Sequence, residues 1–131
     1  MREIVLKDAV ELKLPAQREM MLVLRLTTAG VVARAGLTVD RLDDVKLAVE
    51  EACTCLMDSE NPPARLSLRF EEKEGMLYIH ICGEGDCGGT TIGEDEASVV
   101  RCILESLVDG VELRTHGDAI GALELRIALN Q

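Results

Sequence analysis

The sequence predicts an α+β protein, a two-layer sandwich with helices on one face of a mixed, mainly antiparallel sheet. Apolar residues make up 47% of the 131 residues and aromatic residues only 2%, so we expect one aliphatic core in a single domain spanning 1–131. Apolar residues recur about every two residues in some segments, as in strands, and about every 3.6 residues in others, as in helices. These segments predict the order strand, helix, helix, strand, strand, helix, strand, strand. Paired strands that follow one another closely favour antiparallel pairing.

The first half of the chain predicts one strand and two helices. "VELKLPA" (10–16) alternates apolar and charged residues and closes at Pro15, and "REIVLKD" (2–8) is a candidate for a further short extended piece. A helix over 16–36 follows, with Gly36 suited to the position after its C-terminus. Its apolar residues at helical spacing are Leu22, Val23, Leu26, Ala29 and Ala33.

Thr38 can cap the second helix, with Asp40 in the first turn where the helix dipole favours an acid. Asn61-Pro62-Pro63 ends this helix. Its predicted apolar stripe is Leu42, Val45, Val49, Ala52, Cys53 and Leu56.

The second half begins with a β-hairpin, since "ARLSLRFEE" (64–72) and "MLYIHICGEG" (76–85) both alternate. A glycine-rich loop (83–93) leads into a third helix and then two strands around Gly117. The residues predicted to point inward on the third helix are Val99, Val100, Ile103, Leu104 and Leu107, with Cys102 beside them as a small hydrophobic residue.

Charge and cysteine usage exclude several classes of function. The net charge of −10 offers no basic footprint for nucleic acid. No apolar run is long enough for a membrane span, and the charged N-terminus is unlike a signal peptide. Five cysteines at irregular spacing suggest reduced thiols and a cytoplasmic protein.

The second helix carries a polar face offset from its apolar stripe. Asp44, Glu51, Cys55 and Asp58 share that face, because positions three or four apart lie on one side of a helix. On its own such a face is most simply a solvated acidic surface.

Four segments in order, "LPAQREMMLVLRL", "DDVKLAVEEACT", "LYIHICGEG" and "LESLVDGVEL", resemble the anti-sigma-factor serine/threonine kinases. These are the small single-domain branch of the GHKL ATPase superfamily, and the resemblance runs from about Val10 to Leu129. It implies the Bergerat (histidine-kinase-like ATPase) fold, ATP and Mg²⁺ as ligands, and a homodimer. It also implies a sigma factor or a STAS-domain antagonist as the protein partner.

The family motif Glu-x-x-x-Asn places a general base and then a magnesium-binding amide on this helix. In that register Glu51 is the base, but position 55 is cysteine. Mg²⁺ prefers oxygen ligands and a thiol is soft. To supply an oxygen ligand for Mg²⁺ in place of position 55, Asp58 would have to reach about 4–5 Å further along the helix axis. We therefore expect no bound metal and impaired catalysis.

The family's second motif, Asp-x-Gly-x-Gly after a strand, is also altered. Gly83 stands where the adenine-binding Asp belongs, and Gly85 fits the first glycine. A three-residue slip would align Asp86 and Gly88 instead. The acidic segment "GEDEAS" (93–98), where the family has a lid, would repel a triphosphate. The candidate nucleotide-binding residues are Cys55, Asp58, Gly83, Gly85, Asp86 and Gly88.

Three functions stay open at this point. The first is an anti-sigma-factor-like regulator that binds its partner by protein contacts, with ATP binding weakened or lost. The second is an active serine/threonine kinase that uses Glu51 and phosphorylates an anti-anti-sigma partner. The third is a redox or small-molecule sensor using Cys55 and Cys87. His80, Cys82 and Cys87 match no standard zinc spacing, so no metal site is predicted.

Overall fold

The predicted order of helices and strands is confirmed. The computed structural model describes residues 9–59, 62–85, 90–91, 94–116 and 119–129. Its elements are β1 (Val10–Pro15), α1 (Met21–Arg34), α2 (Val39–Met57), β2 (Arg65–Lys73), β3 (Met76–Glu84), β4 (Thr90–Thr91), α3 (Glu94–Glu105), β5 (Gly110–His116) and β6 (Ala119–Ala128). The sequence did not predict β4, nor the single 3₁₀ turn over Arg18–Met20 that precedes α1. The possible extended piece at 2–8 lies outside the described residues.

All described strand pairs are antiparallel, and the α+β prediction is confirmed. The sheet runs β1-β2-β3-β6, with β5 on the other side of β6 and the short β4 also paired to β6. In the register, Leu68 lies opposite Ile81 and Ile81 lies opposite Leu123. Inward side chains therefore line up in rows across the strands, as the period of two requires.

The core lies between this row of strand residues and α2. Leu66, Leu68 and Phe70 of β2 are buried, as predicted from their alternation, and so are Leu77, Ile79 and Ile81 of β3. From α2 the buried residues are Val45, Ala48, Val49, Ala52, Cys53 and Leu56. The predicted stripe on this helix is thus confirmed apart from Leu42, which is half-buried.

Both ends of α2 are held by side-chain contacts. Thr38 caps the first turn as predicted, accepting a hydrogen bond from the Arg41 backbone N–H at 3.3 Å. Asp109 Oδ2 accepts from the Arg41 guanidinium at 2.6 Å and from the Ala128 backbone N–H at 2.8 Å. One carboxylate therefore joins the start of α2 to the end of β6.

The predicted stripe on α1 is not the buried one. Leu24, Thr28 and Val32 are buried, whereas Leu22 and Leu26 are 60% and 65% exposed. The helix is apolar on almost every side, so its periodicity could not identify the inward face.

The inward face of α3 was also partly mispredicted. Leu104 is fully buried, but Val99 and Ile103 are 58% and 39% exposed. Cys102, predicted to pack beside the buried stripe, is exposed. Five apolar residues spread over too wide an arc for a helix that packs along one line, so only those nearest Leu104 are covered.

No helix of the described chain has the run of apolar residues that a bilayer crossing requires.

Candidate functional site

The polar face of α2 carries three of the predicted residues, and one of them, Cys55, lies near α3. Glu51 and Cys55 lie one turn apart and both are half-buried, while Asp58 follows the last helical residue and is exposed. Glu96, in the first turn of α3, is close enough to act on the Cys55 thiol. One acidic residue of the segment predicted to replace the lid, Glu96, is therefore near position 55.

The Cys55 thiol sits in an acidic, partly desolvated setting. Burial raises the pKa of Cys55, and the carboxylates of Glu96, Glu51 and Asp58 raise it further, to about 11. Low solvation and nearby negative charge both disfavour the thiolate. At neutral pH this position therefore presents a protonated sulfur, which is a poor ligand for a hard cation.

Asp58 is held at the end of α2 by two contacts. Its backbone N–H donates to the Thr54 carbonyl at 2.9 Å, closing the end of α2. Its Oδ1 accepts a hydrogen bond from the Arg18 guanidinium, which reaches it from the turn before α1. Nothing in the local sequence of α2 indicated this contact, because the two residues are 40 positions apart.

Gly83 and Gly85 lie at the end of β3, against the segment that leaves α2. A Cβ added at Gly83 would lie 2.8 Å from both Cβ and Cγ of Pro63. One added at Gly85 would lie 2.9 Å from the Ala64 backbone nitrogen, which donates to the Glu84 carbonyl at 2.9 Å. Neither glycine has a positive φ, so close packing explains both of them.

Two other candidates, Asp86 and Gly88, lie outside the described residues, as does Cys87. The alignment of Asp86 with the adenine-binding Asp therefore stays a prediction.

The described residues do not fit the magnesium and adenine contacts that the family motifs supply. Position 55 offers a protonated thiol in place of an amide oxygen, and Asp58 is engaged by Arg18. Position 83 has neither a carboxylate nor the space for one beside Pro63.

His80 and Cys82 lie on the same face of β3, opposite the buried residues Ile79 and Ile81. His80 Nδ1 lies 3.3 Å from Glu124 Oε2 on the neighbouring strand, and this carboxylate is largely buried. In the part of the chain that the structure describes, no three His, Cys, Asp or Glu residues are grouped so that they could hold a metal ion.

The helices on one face of this sheet, with the polar face of α2 turned toward α3, define a histidine-kinase-like ATPase fold. A solved structure containing the RsbU and RsbW domains of Rv1364c from Mycobacterium tuberculosis superposes with a TM-score of 0.68 and 13% identity. The match covers 92% of this chain and 31% of that longer one.

Curated relatives place the chain within one family of that fold. The serine-protein kinase RsbW of Bacillus subtilis is 31% identical over 134 residues, covering 88% of this chain and 84% of its own. The serine-protein kinase RsbW of Halalkalibacterium halodurans is 34% identical, covering 88% and 82%. The chain belongs to the RsbW serine-protein kinase family, within the GHKL-like superfamily. It matches no protein-family model.

Proposed function

We propose that this protein is an anti-sigma-factor-like regulator that holds its partner by direct protein contacts, with ATP binding weakened or lost. The partner is a sigma factor or a STAS-domain antagonist. The unit is a single domain over 1–131 that acts as a homodimer. Membership of the RsbW family supports the regulatory role and the kind of partner.

One observation supports the loss of nucleotide binding: position 55 is a half-buried cysteine with the carboxylates of Glu51 and Glu96 nearby. A triphosphate bound here would face the carboxylates of Glu51 and Glu96 without a cation to neutralise its charge. Unscreened like charges repel strongly in a partly desolvated cleft. The contact of Gly83 with Pro63 adds a second obstacle, because it occupies the space of an adenine-binding carboxylate.

Isothermal titration of the full chain with ATP and Mg²⁺ tests this proposal. We expect no saturable heat in the micromolar range. The matched variant is Cys55→Asn, which restores a carboxamide at the half-buried position with little change in volume. Micromolar binding by the unmodified chain would refute the proposal, and binding by the variant alone would assign the defect to the thiol.

Partner binding is tested separately by co-purification with candidate sigma factors and STAS-domain proteins. We expect a stable complex that needs no added nucleotide. A complex that forms only with ATP present would contradict this part of the proposal.

The second candidate function is an active serine kinase, which the names of the relatives favour. Glu51 would then take the proton from the serine of the partner. Radiolabelled phosphate transfer to a STAS-domain protein, abolished by Glu51→Gln and retained by Glu50→Gln, would establish it. Glu50 is the matched control because it is the adjacent acid, paired with Arg25 at 3.0 Å.

A further inference from the structure

A cavity of about 310 Å³ lies between α1 and one end of the sheet. Val31 lines it from the helix, and Val10, Phe70 and Leu77 line it from β1, β2 and β3. These strand residues are neighbours across the sheet, because Val10 pairs with Phe70, and Leu77 pairs with Glu72 two residues further on. The inner walls of the cavity are therefore apolar.

The cavity is at the opposite end of β3 from the candidate nucleotide site. Leu77 lines the cavity, whereas Gly83 of the same strand packs against Pro63. The two strand residues are six positions apart, which corresponds to about 20 Å. Of the described residues that line the cavity, none belongs to α2 or α3. A ligand in the cavity would therefore occupy a site separate from that of a nucleotide.

Two charged residues of opposite sign also line this cavity. Arg34 does so from the last turn of α1, and Glu72 does so from β2. Both are exposed, so they lie at the mouth of the cavity, above the apolar walls. Neither takes part in the ion pairs found among the described residues. A complementary ligand has an apolar group and, at one end of it, one positive and one negative charge.

We propose that this cavity binds a free α-amino acid with an apolar side chain of about the size of leucine. The apolar side chain of the ligand occupies the space between Val31 and Leu77. Its α-carboxylate accepts hydrogen bonds from the Arg34 guanidinium, and its α-ammonium group donates to the Glu72 carboxylate. This site goes beyond the proposed regulatory function and does not depend on it.

Size and charge argue against other classes of ligand. A volume of about 310 Å³ is near the lower limit for ligand pockets, so the cavity is too small for a nucleotide or a long acyl chain. A simple carboxylate would pair with Arg34 but place a second negative charge near Glu72. A simple amine would pair with Glu72 but place a second positive charge near Arg34. Like charges at close range are unfavourable, so a zwitterion is the best match.

The cavity opens to solvent beside Leu26 and Gly30, which both line it and are both exposed. A Cβ added at Gly30 would meet no atom within 4 Å. The glycine therefore leaves this entrance clear, and a larger side chain at the same position has room to occupy it. Position 30 can thus be used to close the cavity without disturbing its walls.

Isothermal titration of the full chain with leucine, isopentylamine and 4-methylpentanoate tests the proposal. The second compound is leucine without its carboxylate, and the third is leucine without its ammonium group. We expect saturable binding of leucine with a dissociation constant of about 0.1–1 mM, and binding at least about ten-fold weaker for each of the other two. No saturable heat with leucine or phenylalanine at about 10 mM would overturn the proposal. Binding of either singly charged compound as tightly as leucine would overturn it as well.

Two variants assign the charges. Arg34→Gln should weaken leucine binding about ten-fold and bind isopentylamine at least as tightly as the unmodified chain. Glu72→Gln should weaken leucine binding to a similar extent and bind 4-methylpentanoate at least as tightly. Arg101→Gln is the matched control, because Arg101 is an exposed residue of α3 that lies 3.9 Å from Glu105. Equal losses of all three ligands in either cavity variant, or loss of leucine binding in the control, would contradict the assignment.

Gly30→Leu and Gly30→Ala locate the bound amino acid. Both should raise the melting temperature, because a glycine within a helix is destabilising. We expect Gly30→Leu to weaken leucine binding at least about ten-fold by occupying the entrance, and Gly30→Ala to retain it. Leucine binding that is unchanged in Gly30→Leu would place the amino acid elsewhere and overturn the proposal.

Discussion

Replacing Gly83 with alanine tests whether packing against Pro63 explains the glycine at the end of β3. The added Cβ would lie 2.8 Å from two atoms of a rigid ring, where ordinary contacts begin at 3.4 Å. An overlap of this kind in a packed region costs about 1–3 kcal/mol. Replacing a glycine in a strand with alanine also stabilises the chain by about 0.5–1 kcal/mol, because alanine loses less conformational entropy on folding. The net expectation is a loss of about 1 kcal/mol, or about 4 °C in the melting temperature of a chain of this length.

Urea and thermal unfolding measure this effect, with Gly30→Ala as the matched control. The same methyl group added at Gly30 meets no atom within 4 Å and should stabilise the helix by about 1 kcal/mol. The two variants should therefore differ by about 2 kcal/mol at concentrations low enough to exclude association.

A double-mutant cycle tests whether contact with Pro63 causes the loss of stability expected for Gly83→Ala. Pro63→Gly removes both ring atoms that the new Cβ would meet. In that background Gly83→Ala should cost at least about 1 kcal/mol less than it does alone. If Gly83→Ala were as stable as the unmodified chain, or if the cycle showed no coupling, the packing explanation would be wrong.

Three other predictions follow from buried and titrating groups. Thr28→Val should raise the stability by about 1 kcal/mol in urea unfolding, because the buried Thr28 hydroxyl has no hydrogen-bond partner in the described chain; a loss of stability would show that the hydroxyl is satisfied. The hydrogen bond from the Ala128 backbone N–H and the Arg41 guanidinium both lower the pKa of Asp109. The Asp109 carboxylate therefore stabilises the folded chain above its unfolded pKa of about 3.9, and this stabilisation is lost as pH falls through the folded pKa. Asp109→Asn should lower the free energy of unfolding by about 1 kcal/mol at pH 7, a small value because the side chain is exposed. The free energy of unfolding of this variant should also fall less steeply with decreasing pH than that of the unmodified chain; equal slopes would contradict the prediction. At pH 7.5, raising the pKa of Cys55 from 9.0 to about 11 should slow its reaction with iodoacetamide about 100-fold. Mass spectrometry can follow this reaction beside that of the exposed Cys102; equal rates at the two cysteines would revive the redox-sensor hypothesis.

The strongly periodic elements could be predicted from the sequence. The alternation in β2 and β3 identified their buried residues, and Thr38 marked the start of α2, because these are local patterns with one structural solution. The inward faces of α1 and α3 could not be predicted, since apolar residues such as Leu26 and Ile103 lie on more than one side of the helix. Periodicity reports how many apolar residues a helix has on each side, but not which side the rest of the chain covers.

The candidate site was predictable only in part. Spacing along α2 placed Glu51 and Cys55 on one face. It could not show that Arg18 engages Asp58, or that Pro63 fills the space beside Gly83, because those contacts join residues far apart in sequence. The tertiary structure was needed to show both contacts.

The place of β6 in the sheet has a consequence for how this chain acquires its structure during synthesis. The last described strand lies in the interior, between β3 and β5, and supplies Leu123, Leu125 and Ile127 to the core. Until these residues leave the ribosome, β3 presents an open hydrogen-bonding edge, and the core lacks the three apolar side chains that β6 supplies. Folding of this sheet must therefore wait until Ala119–Ala128 has been synthesised, and a nascent chain stalled before Ala119 would be a substrate for chaperones or for aggregation.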